Sequence, residues 1–224
     1  MFDELKEWQF ARCGKFTASE IWKLMTRGKA KDEYFGKPAM AYIKLKAAEI
    51  LTQEPNNGGR LNTMAMEWGN AHEGEAVEVF QKRFPQYDVT HHGGGNPLYI
   101  PFTDWSGGSP DAFATNKDTG ERIVLEFKCP FNSAEHCEHI IYQTPEDLKA
   151  DKPEYYWQVM AYCLFSGCEN AKFISYDPRF CSDVLQLKIL EMSITEEIKN
   201  ELRERISEAE KQLKVFIDII ESSI

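Results

Sequence analysis

Between Leu98 and Lys128 the sequence stops stepping at helical spacing and begins to alternate. That change of period constrains the fold more than any other feature. Asp111–Thr115 and Arg122–Lys128 read as two strands joined by Asn116-Lys-Asp-Thr-Gly120, a hairpin turn with glycine where a positive φ costs little. Leu98–Ile100 and Thr103–Trp105 read as short strand pieces before them, Lys172–Tyr176 and Val184–Leu190 as further strands after. Helical patterns flank this block. Thr17-Ala-Ser19 reads as a helix start before Glu20–Met25. Pro38–Leu51 and Thr63–Phe84 follow, with Met66, Ala71, Ala76, Val77 and Phe80 available to pack, and then Pro153–Phe165, ended by Ser166-Gly167. A final helix opens on a Ser193-x-x-Glu196 capping box and steps through Ile198, Leu202, Ile206, Ala209, Leu213, Phe216 and Ile220. Gln53–Gly59 and His91–Pro97 read as loops, the second mobile, with His91 and His92 not metal ligands. The order predicts an α/β protein with a central mixed sheet in one domain.

A chain of 224 residues, 42% hydrophobic and 28% charged, excludes disorder, collagen-like repeats and a bare coiled coil. Six cysteines without a C-x-x-C pair predict reduced thiols rather than a disulfide framework. The charged N-terminus lacks the apolar stretch of a signal peptide, and no run of about 18 apolar residues occurs, so a cytoplasmic location and no membrane contact are predicted. The formal charge of −10 argues against a general nucleic-acid coat protein. From Lys23 to Lys46, however, seven bases (among them Lys23, Arg27, Lys29 and Lys31) face two acids, Asp32 and Glu33, enough to hold a polyanion locally.

The sharpest chemical signal is Ser109-Pro-Asp111 followed, 15 residues after the aspartate, by Glu126-Phe-Lys128. Residues 126 and 128 share one strand face with Val124. Charges placed there need partners, and Asp111 at the mouth of the preceding strand is a neighbour. Two carboxylates with a free side bind a hard cation, Mg²⁺ or Mn²⁺, and a lysine beside it can serve a water. This is a kit for metal-assisted phosphodiester hydrolysis. E-x-K alone is as a rule a cross-strand salt bridge on a solvated face. The hairpin spacing from Pro110-Asp111 makes it specific.

The arrangement resembles the PD-(D/E)XK (restriction-endonuclease-like) core, and further blocks resemble the phage lambda exonuclease family, the YqaJ-type viral recombinases or alkaline exonucleases. These blocks are Trp8-x3-Arg12-x-Gly14-x2-Thr17-Ala-Ser19, Trp68-Gly69-x3-Glu73, Gly108-Ser-Pro-Asp111, Leu125-Glu-Phe-Lys-Cys-Pro130 and Tyr156-x-Gln158-x3-Tyr162. They come in family order. Ala112 stands where glycine is usual, and Arg12 follows Trp8 by four residues rather than three. The resemblance implies that Asp111, Glu126 and the Phe127 carbonyl ligate one of two Mg²⁺ ions, that Asp111 faces the second, that Glu73 completes the cluster and that Lys128 serves the attacking water. An exposed helix acid is the plain alternative for Glu73. It also implies a pocket for a terminal 5′-phosphate made of Arg12, Ser19, Ser109 and Gln158. Arginine's fork suits phosphate oxygens, and Ser19 lies near a helix start.

The Lys23–Lys46 stretch is then a backbone track or a solvated helix face. Met66 is a wedge at the terminal base pair or core packing. The implied activity is a 5′→3′ exonuclease on double-stranded DNA ends, releasing mononucleotides and leaving a 3′ single strand for recombination. A ring-shaped homotrimer and a single-strand annealing protein partner are implied with it. A sequence-specific endonuclease of the same core and a non-catalytic DNA-end binding module are the competing readings. Cys129, His136, Cys137 and His139 have no standard zinc spacing.

Overall fold

The computed structural model describes residues 2–30, 33–55, 64–93 and 97–223. Lys31, most of the Gln53–Gly59 loop, Thr63 and Gly94–Asn96 lie outside the described residues. The elements are α1 (Phe2–Ala11), β1 (Phe16–Thr17), a 3-10 helix (Ala18–Lys23), α2 (Lys37–Thr52), α3 (Met64–Arg83), β2 (Tyr87–His91), β3 (Ile100–Thr103), β4 (Ser106–Gly108), β5 (Ala112–Asn116), β6 (Arg122–Lys128), α4 (Ser133–Ile141), α5 (Pro145–Asp151), α6 (Pro153–Ser166), β7 (Asn170–Tyr176), α7 (Asp183–Gln186), β8 (Leu187–Ser193) and α8 (Glu196–Ser222).

Five strands form the central sheet in the order β2-β5-β6-β7-β8, and β1-β4-β3 form a small second sheet. The central sheet is mixed: only β6 and β7 pair in parallel. Its middle strand carries the period-2 pattern. Ile123, Leu125 and Phe127 pack on one side with Ala76, Val77 and Phe80 of α3. Val124 faces the opposite layer, where α2, α6 and α8 supply Ile43, Val159, Met160, Ile206 and Leu213. Glu126 therefore points into the second layer, fully buried.

Local signals explain most boundaries. Gly120 takes φ 72° in the β5–β6 turn, and Gly167 takes φ 73° to close α6. Five expectations are corrected. His91, expected to open a loop, instead ends an edge strand, Tyr87–His91, that pairs with β5. The 3-10 helix replaces the expected helix after Ser19, and its N-cap Thr17 makes no side-chain capping bond. Val184–Gln186 is a helical turn, with β8 starting at Leu187. The cap of α8 is Thr195, which accepts the Ile198 N–H, while Ser193 turns to Asn170. Met66 and Ala71 are exposed rather than packed.

Helices α4 and α5, between β6 and α6, were not expected. α4 buries two histidines against β7. His136 Nε2 lies 2.7 Å from the Leu185 carbonyl and must donate to it, so its Nδ1 accepts from Ser175 Oγ at 2.7 Å. The same hydroxyl then accepts from His139 Nδ1 at 2.8 Å. Both rings are neutral in this bonding pattern, and among the described residues neither joins Cys129 or Cys137 in a group of three or more candidate metal ligands. Burial lowers both pKa values, His139's to about 4. A histidine held below its unfolded value contributes stability that is present above about pH 6.5 and lost as pH falls toward 4. The loss reaches about 3 kcal/mol. Urea midpoints at pH 7 and pH 4.5 should therefore diverge in the wild type and diverge less in His139→Gln, where only His136 keeps a lowered pKa. Equal slopes in both proteins would disprove this assignment.

Candidate active site

The β5–β6 hairpin brings the sequence motif together. Asp111 sits just ahead of β5, where the register sets Ala112 opposite Leu125. Its Oδ2 accepts the Phe127 N–H at 2.8 Å. Glu126 is fully buried, and Lys128 Nζ donates to its Oε1 at 2.6 Å. Glu126 Oε2 is buried with no hydrogen-bond partner among the described residues. Burial and then the charge of Glu126 hold the Asp111 carboxyl well above the usual range. Burial also raises Glu126, with Lys128 opposing. Burial alone would lower the Lys128 ammonium, but Glu126 and Asp111 together hold it above its ordinary value.

A cleft of about 330 Å³ opens beside this group, lined by Met66, Gly69, Asn70, Glu73, Asp111, Phe127, Lys128 and Cys129. Glu73 is thus half-buried on the cleft side of α3 rather than an exposed helix acid. Its Oε1 meets His91 Nε2 at 2.8 Å. Gly93 packs tightly behind the pair: a Cβ there would stand 1.8 Å from Glu73 Oε1. His91, read from sequence as part of a mobile loop, is a site neighbour. The signal that hid it is the run of glycines after it, which masks a short edge strand.

Among the described residues no three His, Cys, Asp or Glu side chains already close around one point as a metal cage. Mg²⁺ does not require one, since it takes one or two carboxylates and keeps several waters. The unpartnered Glu126 oxygen and the repelling Asp111–Glu126 pair suit a hard divalent cation.

The second group lies where α1 meets the small sheet. Arg12 Nη2 donates to Ser19 Oγ at 3.3 Å. The guanidinium stacks 4.1 Å over the Trp8 ring, and Trp8 Nε1 donates to Ser109 Oγ at 2.9 Å. Trp8 therefore joins Arg12 to Ser109, which directly precedes Pro110-Asp111. Gln158 is buried on α6 and donates to Tyr162 Oη at 3.0 Å. Tyr162 is raised above its ordinary pKa, first by burial and then by the charges of Glu126 and Asp111.

The basic stretch is divided. Arg27 and Lys29 are exposed and line a groove with Tyr34 and Arg205. Arg205 donates to the Thr26 and Tyr34 carbonyls and so ties this loop to α8. Lys23 pairs with Glu20. Lys46 is buried, so it leaves any surface track. Sequence reasoning also missed Arg179, which lies 4.3 Å over the Trp68 ring and donates to the Pro130 and Phe131 carbonyls. It ties the segment after Lys128 to α3.

A hairpin that sets a buried Glu-x-Lys beside an aspartate, on a mixed sheet flanked by helices, defines the PD-(D/E)XK core. The chain matches the YqaJ-like viral recombinase domain over residues 7–169 and belongs to that family. The alkaline exonuclease LHK-Exo from Laribacter hongkongensis is similar in structure, with TM-score 0.75 at 25% identity over 97% of both chains. LHK-Exo in complex with dAMP gives the same TM-score at 24% identity over 97% of both chains. A phage-related exonuclease from Haemophilus somnus 129PT gives TM-score 0.68 at 15% identity, covering 92% of this chain and 96% of that one. No curated relative matches the sequence significantly. Among the described residues no helix is long and apolar enough to cross a membrane.

Proposed function

We propose that this protein is a Mg²⁺-dependent exonuclease that digests double-stranded DNA ends 5′→3′, releases 5′-mononucleotides and leaves a 3′ single strand for annealing-type recombination. The observation that carries the reading is half-buried Asp111 lining a cleft with Lys128, beside the fully buried Glu126 and its unpartnered oxygen. The LHK-Exo complex with dAMP adds support, since a nucleoside monophosphate is the product such a reaction releases.

Asp111, Glu126 and the Phe127 carbonyl would hold one Mg²⁺ (Mn²⁺ substituting), with Asp111 and Glu73 toward a second. Bound there, the ions supply an activated water and neutralise charge on the entering and leaving oxygens. Lys128 orients the attacking water at its ammonium. Arg12, Ser19, Ser109 and Gln158 grip the terminal 5′-phosphate, which places the first phosphodiester at the carboxylates and sets polarity. Met66, exposed on the cleft rim, abuts the terminal base pair, and Lys23, Arg27, Lys29 and Lys31 follow the phosphate backbone. A homotrimeric ring around the duplex, a single-strand annealing protein partner and action in the cytoplasm complete the proposal.

The test is linear duplex labelled at one end, with 5′-phosphate or 5′-hydroxyl termini, incubated with Mg²⁺ or EDTA beside a closed circle. Metal-dependent release of mononucleotides from 5′-phosphorylated ends, with the circle spared, is the expected result. Cleavage of the circle would replace it with an endonuclease, and binding without cleavage with an end-binding module.

A further inference from the structure

Three side chains of α2, at i, i+4 and i+7, meet the backbone that separates Arg12 from Ser19. Tyr42, Lys46 and Glu49 are all buried, at 3%, 7% and 3% exposure. Glu49 Oε2 accepts the Gly14 N–H at 2.7 Å. Tyr42 Oη accepts the Thr17 N–H at 2.9 Å and lies 3.3 Å from Thr17 Oγ1. Lys46 Nζ donates to both Glu49 oxygens, at 3.1 and 2.9 Å, and lies over the Tyr42 ring.

The held span has no slack. Gly14 takes φ +72°, and a Cβ there would stand 2.5 Å from Ile50 Cγ1, so the turn rests directly on α2. Arg12 lies two residues before Gly14, and Ser19 lies two residues after Thr17. Their side chains meet at 3.3 Å only if the span between them keeps its path.

Stability alone does not account for a buried Lys–Glu pair, because well-packed apolar residues of similar volume do as well or better. A fixed carboxylate instead pins one N–H by a short charge-assisted bond. A carboxylate that close to an anion pocket would oppose a phosphate unless a cation cancelled it. Lys46 supplies that cancellation without occupying the pocket.

We infer that Tyr42, Lys46 and Glu49 are positioning residues that set the grip of the Arg12–Ser19 pocket on a 5′-phosphate. The inference rests on the pocket reading given under the proposed function.

The test compares 5′-phosphorylated with 5′-hydroxyl duplex ends for the wild type, the charge-free double variant Lys46→Met/Glu49→Met and Tyr42→Phe. Thermal unfolding runs alongside. The double variant should raise KM for phosphorylated ends about tenfold, the scale of one misplaced charge-assisted hydrogen bond. Its kcat at saturation and its rate on hydroxyl ends should stay within about twofold. A merely structural role would move both substrates together. A folded double variant that keeps the wild-type preference for phosphate overturns the inference while the pocket stands. A wild type with no preference overturns the pocket reading itself, and the inference with it. If the double variant does not fold, Tyr42→Phe decides. A rise of about threefold in KM, on phosphorylated ends alone, supports the inference, on the scale of one neutral hydrogen bond. An unchanged ratio overturns it.

Discussion

Asp111→Asn should abolish strand cleavage and at the same time raise the melting temperature. The loss in kcat is expected to be about 10³-fold or more, because the carboxylate is the ligand placed between both proposed ions. The gain in stability has a separate origin. Burial and the neighbouring Glu126 hold the Asp111 carboxyl well above its ordinary value. A carboxylic acid with a raised folded-state pKa costs stability increasingly as pH rises from its unfolded value through the folded one. Asparagine removes that cost and keeps an oxygen for the Phe127 N–H. The gain should appear as a higher melting temperature at neutral pH that shrinks as pH falls. Mg²⁺ should raise the wild-type melting temperature and leave Asp111→Asn nearly unmoved. A variant that still cleaves, or one that melts below the wild type without metal, would remove Asp111 from this role.

Lys128→Ala should be as inactive but unfold more easily, and the opposite sign is the informative part. Lys128 is proposed to orient the attacking water, and loss of a group that positions a reactant should lower kcat by about 10²-fold or more. Lys128 is also the hydrogen-bonding cation on a fully buried Glu126. Removing one member of a buried pair leaves a charge without compensation and costs about 3–5 kcal/mol. Differential scanning calorimetry without metal should show the drop, and Mg²⁺ should restore part of it by compensating the buried Glu126 carboxylate. An unchanged melting temperature would mean that the ion pair does not hold Glu126 in place.

The candidate catalytic cluster was legible because its information is local. Asp111, Glu126 and Lys128 lie on one hairpin, strand alternation puts 126 and 128 on one face, and Gly120 marks the turn. The blocks around Arg12, Glu73 and Gln158 were legible as a family pattern, while their contacts were not. Nothing near Trp8 says that its indole N–H will reach Ser109, 101 residues away. His91 was hidden because an edge strand with one half-buried face carries a weak signal, and three glycines follow it. Ser193 looked like the better cap because Glu196 completes a capping box in sequence. The register of β8 instead carried Ser193 to Asn170 and left Thr195 at the helix start.

The sequence by itself determined the chemical groups, their order and the secondary structure that presents the motif, because spacing along a strand or helix acts through neighbours a few residues away. Only the tertiary structure decided which charges are spent inside the protein. Lys46 and Arg27 belong to the same basic stretch, yet one is buried on Glu49 and the other is exposed at a groove. A lysine's role depends on whether a distant element removes its water and supplies a counter-charge, and that cost and its compensation exist only once the chain has packed.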